Sequence, residues 1–308
     1  MSLNNLKNFF YKKKILITGH TGFKGLWLSI YLLNLGAKII GISLKPNIFQ
    51  KKILKNLKKK QIKNYFFNIQ NYSKVKKTIL QNQPDYIFHL AAQPIVSLSF
   101  SAPLETWKTN VLGTGNILET LRFIKKKCIV IIVTSDKCYE IKKNKKIIFF
   151  EETDALGGND PYSASKASAE IIFKSYYKSF LANKKNISIV SVRAGNIIGG
   201  GDWSRDRIIP DCVRSWIKKK SVHIRNPNSI RPWQHILDAI NGYLLLAKII
   251  SKSKKFNGQS FNFGPEKNSI KTVKNLCEIF KTYWPGKNKI KIKMKKQFHE
   301  TKILALSI

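Results

Sequence analysis

The chain has 308 residues, 43% of them hydrophobic and 11% aromatic, enough apolar material for one large domain or two coupled ones, which excludes wholesale disorder. Fifty-six basic side chains against 17 acidic ones leave a formal charge of +39, yet only seven of the basic residues are arginines. Specific nucleic-acid readers favour the bidentate arginine fork, so no specific nucleic-acid partner is expected, and the lysines read as solvated faces that also suit an anionic substrate.

In chain order, Met1 to Lys14 is interrupted by Lys7 and Lys12-Lys13-Lys14 before any long apolar run, so no secretory leader is expected. Lys14-Ile15-Leu16-Ile17-Thr18 reads as a strand that ends at a glycine-rich turn. Apolar residues then follow helical spacing from Gly25 to Leu35, with Gly36 as the stop, and Ala37 to Ile42 is a second strand. Lys51 to Lys63 is a lysine-rich surface segment. Tyr86 to Leu90 and Ile129 to Val133 are buried-type strands, a helical pattern from Thr109 to Ile124 lies between them, and Ser188 to Val192 is a further strand. Strands alternating with helices predict an α/β fold with a doubly wound parallel sheet.

Beyond about Gly199 glycine, proline and aromatic residues become frequent, as in Gly199-Gly200-Gly201-Asp202-Trp203, which suits a smaller loop-rich substrate region. His235 to Ile249 reads as a helix returning to the first domain, and Lys287 to Lys296 is a second lysine-rich surface segment. The expected division is therefore a nucleotide-binding domain over 1–195, with a return of about 235–263, and a substrate region over 196–308. There is no internal repeat. No stretch approaches the roughly 18 apolar residues of a membrane span, so no membrane partner is expected. Cys128, Cys138, Cys212 and Cys277 form no CxxC pair and share no metal-ligand spacing with the five histidines, so reduced thiols in the cytoplasm, and no metal, are expected.

Three constellations carry chemistry. Gly19-His20-Thr21-Gly22-Phe23-Lys24-Gly25 follows the first strand and opens the first helix, where glycines permit a tight turn and close approach of backbone to a pyrophosphate. The second strand ends at Gly41-Ile42-Ser43-Leu44-Lys45 with no acidic residue for a ribose, so this turn alone does not choose between NAD and NADP. Tyr162 and Lys166 stand four residues apart, on one face of a helix. A tyrosine acting as base near neutrality must lose about 3 units from its ordinary value near 10, which a lysine ammonium and a nicotinamide cation can supply. Taken alone such a pair is as consistent with an ordinary surface helix; with the glycine turn upstream it points to redox catalysis. Thr134-Ser135-Asp136-Lys137-Cys138-Tyr139 directly follows a buried strand, where open α/β sheets place their ligands, and offers a hydroxyl, a carboxyl and an amine in succession.

Together with His89-Leu90-Ala91-Ala92-Gln93-Pro94, Arg193-Ala194-Gly195-Asn196, Ile198 to Trp203 and Ile230 to His235, these motifs resemble the extended short-chain dehydrogenase/reductase family of nucleotide-sugar enzymes, and within it the CDP-glucose 4,6-dehydratases. The likeness runs from about Lys14 to about Glu300, with the motifs in order. It implies a Rossmann fold and NAD held by Gly19, Thr21, Gly22, Phe23, Lys24 and Gly25, with Asn68 and Ile69 near the adenine. It further implies Ala91 and Ala92 under the cofactor and Tyr162 with Lys166 at the nicotinamide ribose. Gln93, Asn110 and Asn196 would face a small-molecule nucleotide sugar, CDP-glucose, with Arg207 and Arg231 at its diphosphate, where guanidinium geometry suits bidentate contact. The implied reaction is an internal redox dehydration: oxidation at C4, loss of water across C5–C6, and reduction at C6, with no net use of NAD. Tyr162 would be the base at O4, Ser135 the donor to O4, Asp136 the acid for the C6 hydroxyl, and Lys137 either the C5 base or an electrostatic stabiliser of the enolate.

Two departures from the family accompany the likeness. Asn68 stands where an Asp usually contacts adenine, implying weaker cofactor binding, and the chain stops at Ser307-Ile308 where relatives continue, so exposed apolar surface and lowered stability or activity are expected of the short C-terminus. A homo-oligomer is implied by analogy. A 4-epimerase on the same fold needs no acid–base pair for elimination, so Asp136-Lys137 argues against it. A basic binding protein that retains only a Rossmann core is disfavoured by Tyr162 and Lys166.

Overall fold

The computed structural model describes residues 3–57, 62–141, 149–266, 269–286, 289–292 and 305–307. Residues 58–61 of the first lysine-rich segment, all of the second except 289–292, and the end of the resemblance near Glu300 lie outside the described residues.

The first half alternates as its apolar periods demand. The elements run α1 (Leu3–Phe10), β1 (Lys14–Thr18), α2 (Phe23–Asn34), β2 (Lys38–Ser43), α3 (Ile48–Asn56), β3 (Ile62–Phe66), α4 (Tyr72–Asn82) and β4 (Tyr86–His89). Then come α5 (Val96–Ser101), α6 (Pro103–Trp107), a π-helical segment (Lys108–Leu112), α7 (Gly113–Leu121), β5 (Cys128–Val133), a 3-10 turn (Asp136–Cys138) and β6 (Phe149–Phe150). α8 (Pro161–Tyr176) and β7 (Ile187–Ala194) complete that alternation. The remaining third is more finely divided: β8 (Ile197–Ile198), α9 (Ile208–Ile217), β9 (Val222–Ile224), β10 (Ile230–Pro232), β11 (Gln234–His235), α10 (Ile236–Lys252), β12 (Ser260–Phe263), β13 (Ile270–Thr272), α11 (Val273–Tyr283), β14 (Ile290–Ile292) and β15 (Ala305–Leu306).

Seven strands form one parallel sheet in the order β12-β7-β5-β4-β1-β2-β3. Side chains alternate between its faces, as the pleat requires. Ile15, Ile17, Ile129, Ile131, Val190 and Val192 pack on α2 and α10, and Leu16, Val130, Ile132, Ile187 and Ile189 pack on the side of α4, α7 and α8. With both faces covered, the strands read as near-continuous apolar runs, which is why they were legible in sequence. Strand order reverses between β1 and β4, and the crevice outside the strand ends at such a switch point is where these sheets take ligands.

One expected helix divides. The pattern from Thr109 to Ile124 is a π-helical segment followed by α7. The wider turn directs Asn110 inward, where its side chain accepts from the Gln93 N–H (2.8 Å) and donates to Ser165 Oγ (2.9 Å). A long-range polar contact overrides the local period there. The elements beyond β7 are short, most of their strands paired only in twos, around a small cluster of Cys212, Trp216, Val222, Ile224 and Cys277. β12 returns to the main sheet beside β7, and β15 pairs with β6 next to the 3-10 turn.

Candidate active site

The strand ends converge on a cavity of about 750 Å3. At the end of β1 the chain turns at Gly19, whose φ of +74° lies in the left-handed region. A Cβ on Gly19 would sit 3.0 Å from the backbone of Ala91, and one on Gly25 only 2.1 Å from the Gly19 carbonyl. Only glycine lets this turn fold so tightly. No side chain caps Gly22 at the start of α2, so the helix presents its first-turn amides and positive dipole end to the cavity. Gly19, Thr21, Gly22, Phe23, Lys24 and Gly25 all line it, and a dinucleotide diphosphate fits this cradle on geometry alone.

Beneath the turn a polar chain ties the ends of β1 and β4 to the helical segment beside them. The Leu90 and Ala91 N–H groups both donate to Thr18 Oγ1 (3.1 Å each), so the Thr18 hydroxyl proton goes to His89 Nδ1 (2.7 Å). His89 then donates from Nε2 to Thr114 Oγ1 (3.0 Å), and Thr114 to the Asn110 carbonyl (2.7 Å). Burial, and then the Lys166 charge, bring His89 down to about 3, so it is a neutral strut at any working pH.

β5 delivers the next groups. Ser135 caps the 3-10 turn by accepting from the Lys137 N–H (3.2 Å) and donates to Asp136 Oδ1 (3.0 Å). Asp136 is 2% exposed and its Oδ2 has no hydrogen-bond partner among the described residues. Burial raises its carboxyl above the ordinary carboxylate range, while Lys137, the Ser135 hydrogen bond, Arg231 and Lys24 pull the other way. A carboxyl shifted upward in this way is better suited to act as an acid than an ordinary one.

α8 faces this turn. Asp160 is its N-cap, accepting from the Tyr162 and Ser163 N–H groups (3.0 and 2.9 Å), with Pro161 in the first turn, so the helix starts one residue before Tyr162. Tyr162 and Lys166 are 8% and 5% exposed on the same face, and both line the cavity with Ser135, Asp136 and Lys137. In the protein alone the expected acidification of Tyr162 is reversed: burial pushes the phenol up to about 12, outweighing the lowering effects of the Ser135 hydrogen bond and the Arg207 charge. The reason is that desolvation penalises the phenolate, and it penalises the Lys166 ammonium as well, bringing that group down to about 8. Lys24, half-buried in the same wall, comes down to about 7 through burial and then the charges of Arg207 and Lys166.

Asn68, Ile69, Ala91, Ala92, Asn196, Arg207 and Arg231 line the cavity. The Asn68 carbonyl that was expected to face adenine already accepts from the Gln70 N–H (3.0 Å), closing a local turn. Gln93 and Asn110 do not line the cavity. Gln93 donates to Thr106 Oγ1 (2.9 Å) and accepts from the Ile95 N–H (2.5 Å), and Asn110 is held by the Gln93 backbone and Ser165, so both brace the loop after β4. Sequence reasoning missed Asp202 and Asp206, which pair with Arg207 and Arg225 at 3.1 Å each on the opposite wall. Acids and arginines crowded between residues 202 and 207 were the available signal. Among the described residues no three His, Cys, Asp or Glu side chains gather as a metal site.

The family model described as GDP-mannose 4,6 dehydratase matches residues 16–302. The CDP-glucose 4,6-dehydratase of Salmonella typhimurium is 41% identical over 288 residues, covering 90% of this chain and 78% of that protein. The chain belongs to the GDP-mannose 4,6-dehydratase family. The fold of this family recurs in solved structures: epimerase Mth375 of Methanothermobacter thermautotrophicus matches with a TM-score of 0.85 at 20% identity, covering 99% of this chain and 86% of that one. The dTDP-glucose 4,6-dehydratase of Bacillus anthracis, solved in complex with NAD, matches with a TM-score of 0.76 at 23% identity, covering 96% and 87%.

Proposed function

We propose that the protein is an NAD-dependent hydro-lyase that converts CDP-glucose to CDP-4-keto-6-deoxyglucose. One observation carries the reading: Ser135, Asp136 and Lys137 from the end of β5 and Tyr162 and Lys166 from α8 share a single cavity wall with the glycine turn. Asp136 and Lys137 favour a dehydratase over a 4-epimerase, because elimination across C5–C6 needs an acid and a base beyond the redox pair. The choice of CDP-glucose rests on the Salmonella relative.

Gly19, Thr21, Gly22, Phe23, Lys24 and Gly25 would hold the NAD diphosphate, Asn68 and Ile69 the adenine end, Ala91 and Ala92 the underside, and Tyr162 and Lys166 the nicotinamide ribose. When bound, NAD supplies the acceptor and donor of a hydride and a positive charge beside the phenol. Tyr162 Oη takes the proton of the sugar O4, Ser135 Oγ orients that oxygen, and Lys166 stabilises the tyrosinate. The protonated Asp136 carboxyl donates to the departing C6 hydroxyl. Lys137 moves the C5 proton as a neutral amine or, as an ammonium, steadies the enolate. Arg207, Arg231 and Asn196 face the sugar nucleotide from the far wall.

In this reading residues 1–195 with 235–263 bind the cofactor, and 196–308 bind the substrate. Leu104 (73% exposed), Leu112 and Ile171 present apolar surface along the α6–α7 segment and α8, which suits a homo-oligomer. No described helix is long and apolar enough to cross a membrane, and the four buried cysteines are all free thiols, which suits a reducing cytoplasm. The test is turnover of nucleotide-glucose substrates with added NAD, read as the alkali-induced ultraviolet absorbance of a 4-keto sugar. A signal with CDP-glucose is expected; a signal with dTDP-glucose alone would refute the base assignment.

A further inference from the structure

Behind the cavity wall lies a buried charge with no part in the proposed reaction. Glu170 follows Lys166 by one turn of α8 and is fully buried. Its carboxylate accepts from Thr134 Oγ1 at the end of β5 (2.5 Å), Ser191 Oγ on β7 (2.8 Å) and Ser260 Oγ on β12 (2.9 Å), and it pairs with the Arg193 guanidinium of β7 at 2.8 Å. Arg193 in turn donates to the Tyr139 hydroxyl (2.8 Å), just past the 3-10 turn. Three strands thus converge on one helical side chain.

Ion pairs of this kind are poor sources of net stability, because desolvating both charges offsets their attraction. Their directional bonds do something apolar packing does not: they fix the orientation of the helix against the sheet. Thr134 immediately precedes Ser135, and Glu170 shares its helix face with Tyr162 and Lys166. We propose that Glu170 is a positioning residue, whose buried carboxylate holds the Tyr162–Lys166 face of α8 in register with Ser135 at the end of β5. The inference rests on reading Tyr162 and Lys166 as reacting groups. Glu170 also acts on Lys166 through charge: burial disfavours the ammonium and Cys138 and Glu170 favour it, while the Lys166 charge in turn lowers Lys24 and His89, the latter staying neutral.

The test compares the full-length wild type with Glu170→Gln. The expected result is a loss of about 10- to 100-fold in kcat with little change in substrate KM. The alkaline limb of the kcat/KM profile should move to lower pH by about one unit, because removing the carboxylate lowers the Lys166 pKa. An activity-free readout is the pH midpoint for cyanate labelling of Lys166, located by peptide mass spectrometry, which should shift the same way. A lower kcat with both midpoint and alkaline limb unmoved marks a merely structural role and overturns the proposal, as does wild-type kcat. Should wild type turn over no nucleotide-glucose, the functional reading fails, while the labelling midpoint still decides whether Glu170 acts on Lys166. If Glu170→Gln does not fold, Thr134→Val decides, since it removes the tie to β5 and leaves the ion pair intact. A kcat about tenfold lower at unchanged KM supports the proposal, and an unchanged kcat overturns it.

Discussion

The cavity wall built by the parallel sheet and the wall built by residues beyond Gly199 hold their polar groups by different means. On the sheet side Thr18, His89, Ser135, Asp136 and Glu170 are all no more than 6% exposed, and nearly all of their polar atoms have partners within the protein. On the other side Arg207 and Arg225 pair with Asp202 and Asp206, and the two guanidinium side chains are 32% and 34% exposed. Arg207 stands at the start of α9 and Arg225 just past the three-residue β9, over a small apolar cluster. Burial at the first wall strengthens every electrostatic contact and forbids rearrangement. Partial exposure at the second leaves long side chains able to exchange one anionic partner for another at little cost. In the proposed reaction bond-making groups belong to the first and recognition to the second.

Four substitutions can break or sharpen that contrast. The largest effect is expected of Tyr162→Phe, which should lower kcat about 1000-fold or more while NAD binding, followed calorimetrically, stays within about twofold. Substantial turnover in this variant would remove the phenol from the chemistry.

Asp136→Asn should lower kcat about 100-fold and, in the same protein, raise stability. Burial raises the native carboxyl above its unfolded value near 3.9, so its contribution to stability is full below about pH 4 and is lost as pH rises through the native value. Asparagine carries no such loss. The Tm advantage of the variant should therefore grow from pH 4 towards pH 7; a gap that narrows would contradict the sign.

His89→Phe leaves the Thr18 and Thr114 hydroxyls short of partners, and urea denaturation should show a loss of about 2 kcal/mol. A loss near zero would show that the sheet wall does not depend on its polar strut. The smallest effect falls on the other wall: Arg207→Ala should raise substrate KM about tenfold with kcat nearly unchanged. If kcat fell instead, the division between chemistry and recognition would not hold.

Much of the first wall was readable because its signals are local. A strand, a glycine turn and a helix lie within Lys14 to Leu35, and Tyr162 and Lys166 are one helical turn apart, so short-range sterics and helical period are enough to propose them. The family resemblance alone implies that Gln93 and Asn110 face the substrate. They point inward because their partners, Thr106 and Ser165, are up to 55 residues away in the chain. Glu170 was silent for the same reason. A single glutamate on a helix of small residues reads as solvated until three strands and Arg193 close around it.

Composition, apolar periodicity and the order of a few motifs were sufficient for the doubly wound sheet, for the glycine turn after β1, and for setting Ser135 to Lys137 after a buried strand and Tyr162 with Lys166 on one helix face, since each depends on residues within a turn or two of one another. Tertiary structure alone decided how those groups are poised. Desolvation raises Tyr162 and Asp136 and lowers Lys166, Lys24 and His89, and it arises only when segments as distant as residues 18, 89, 136, 162 and 207 exclude water from one space.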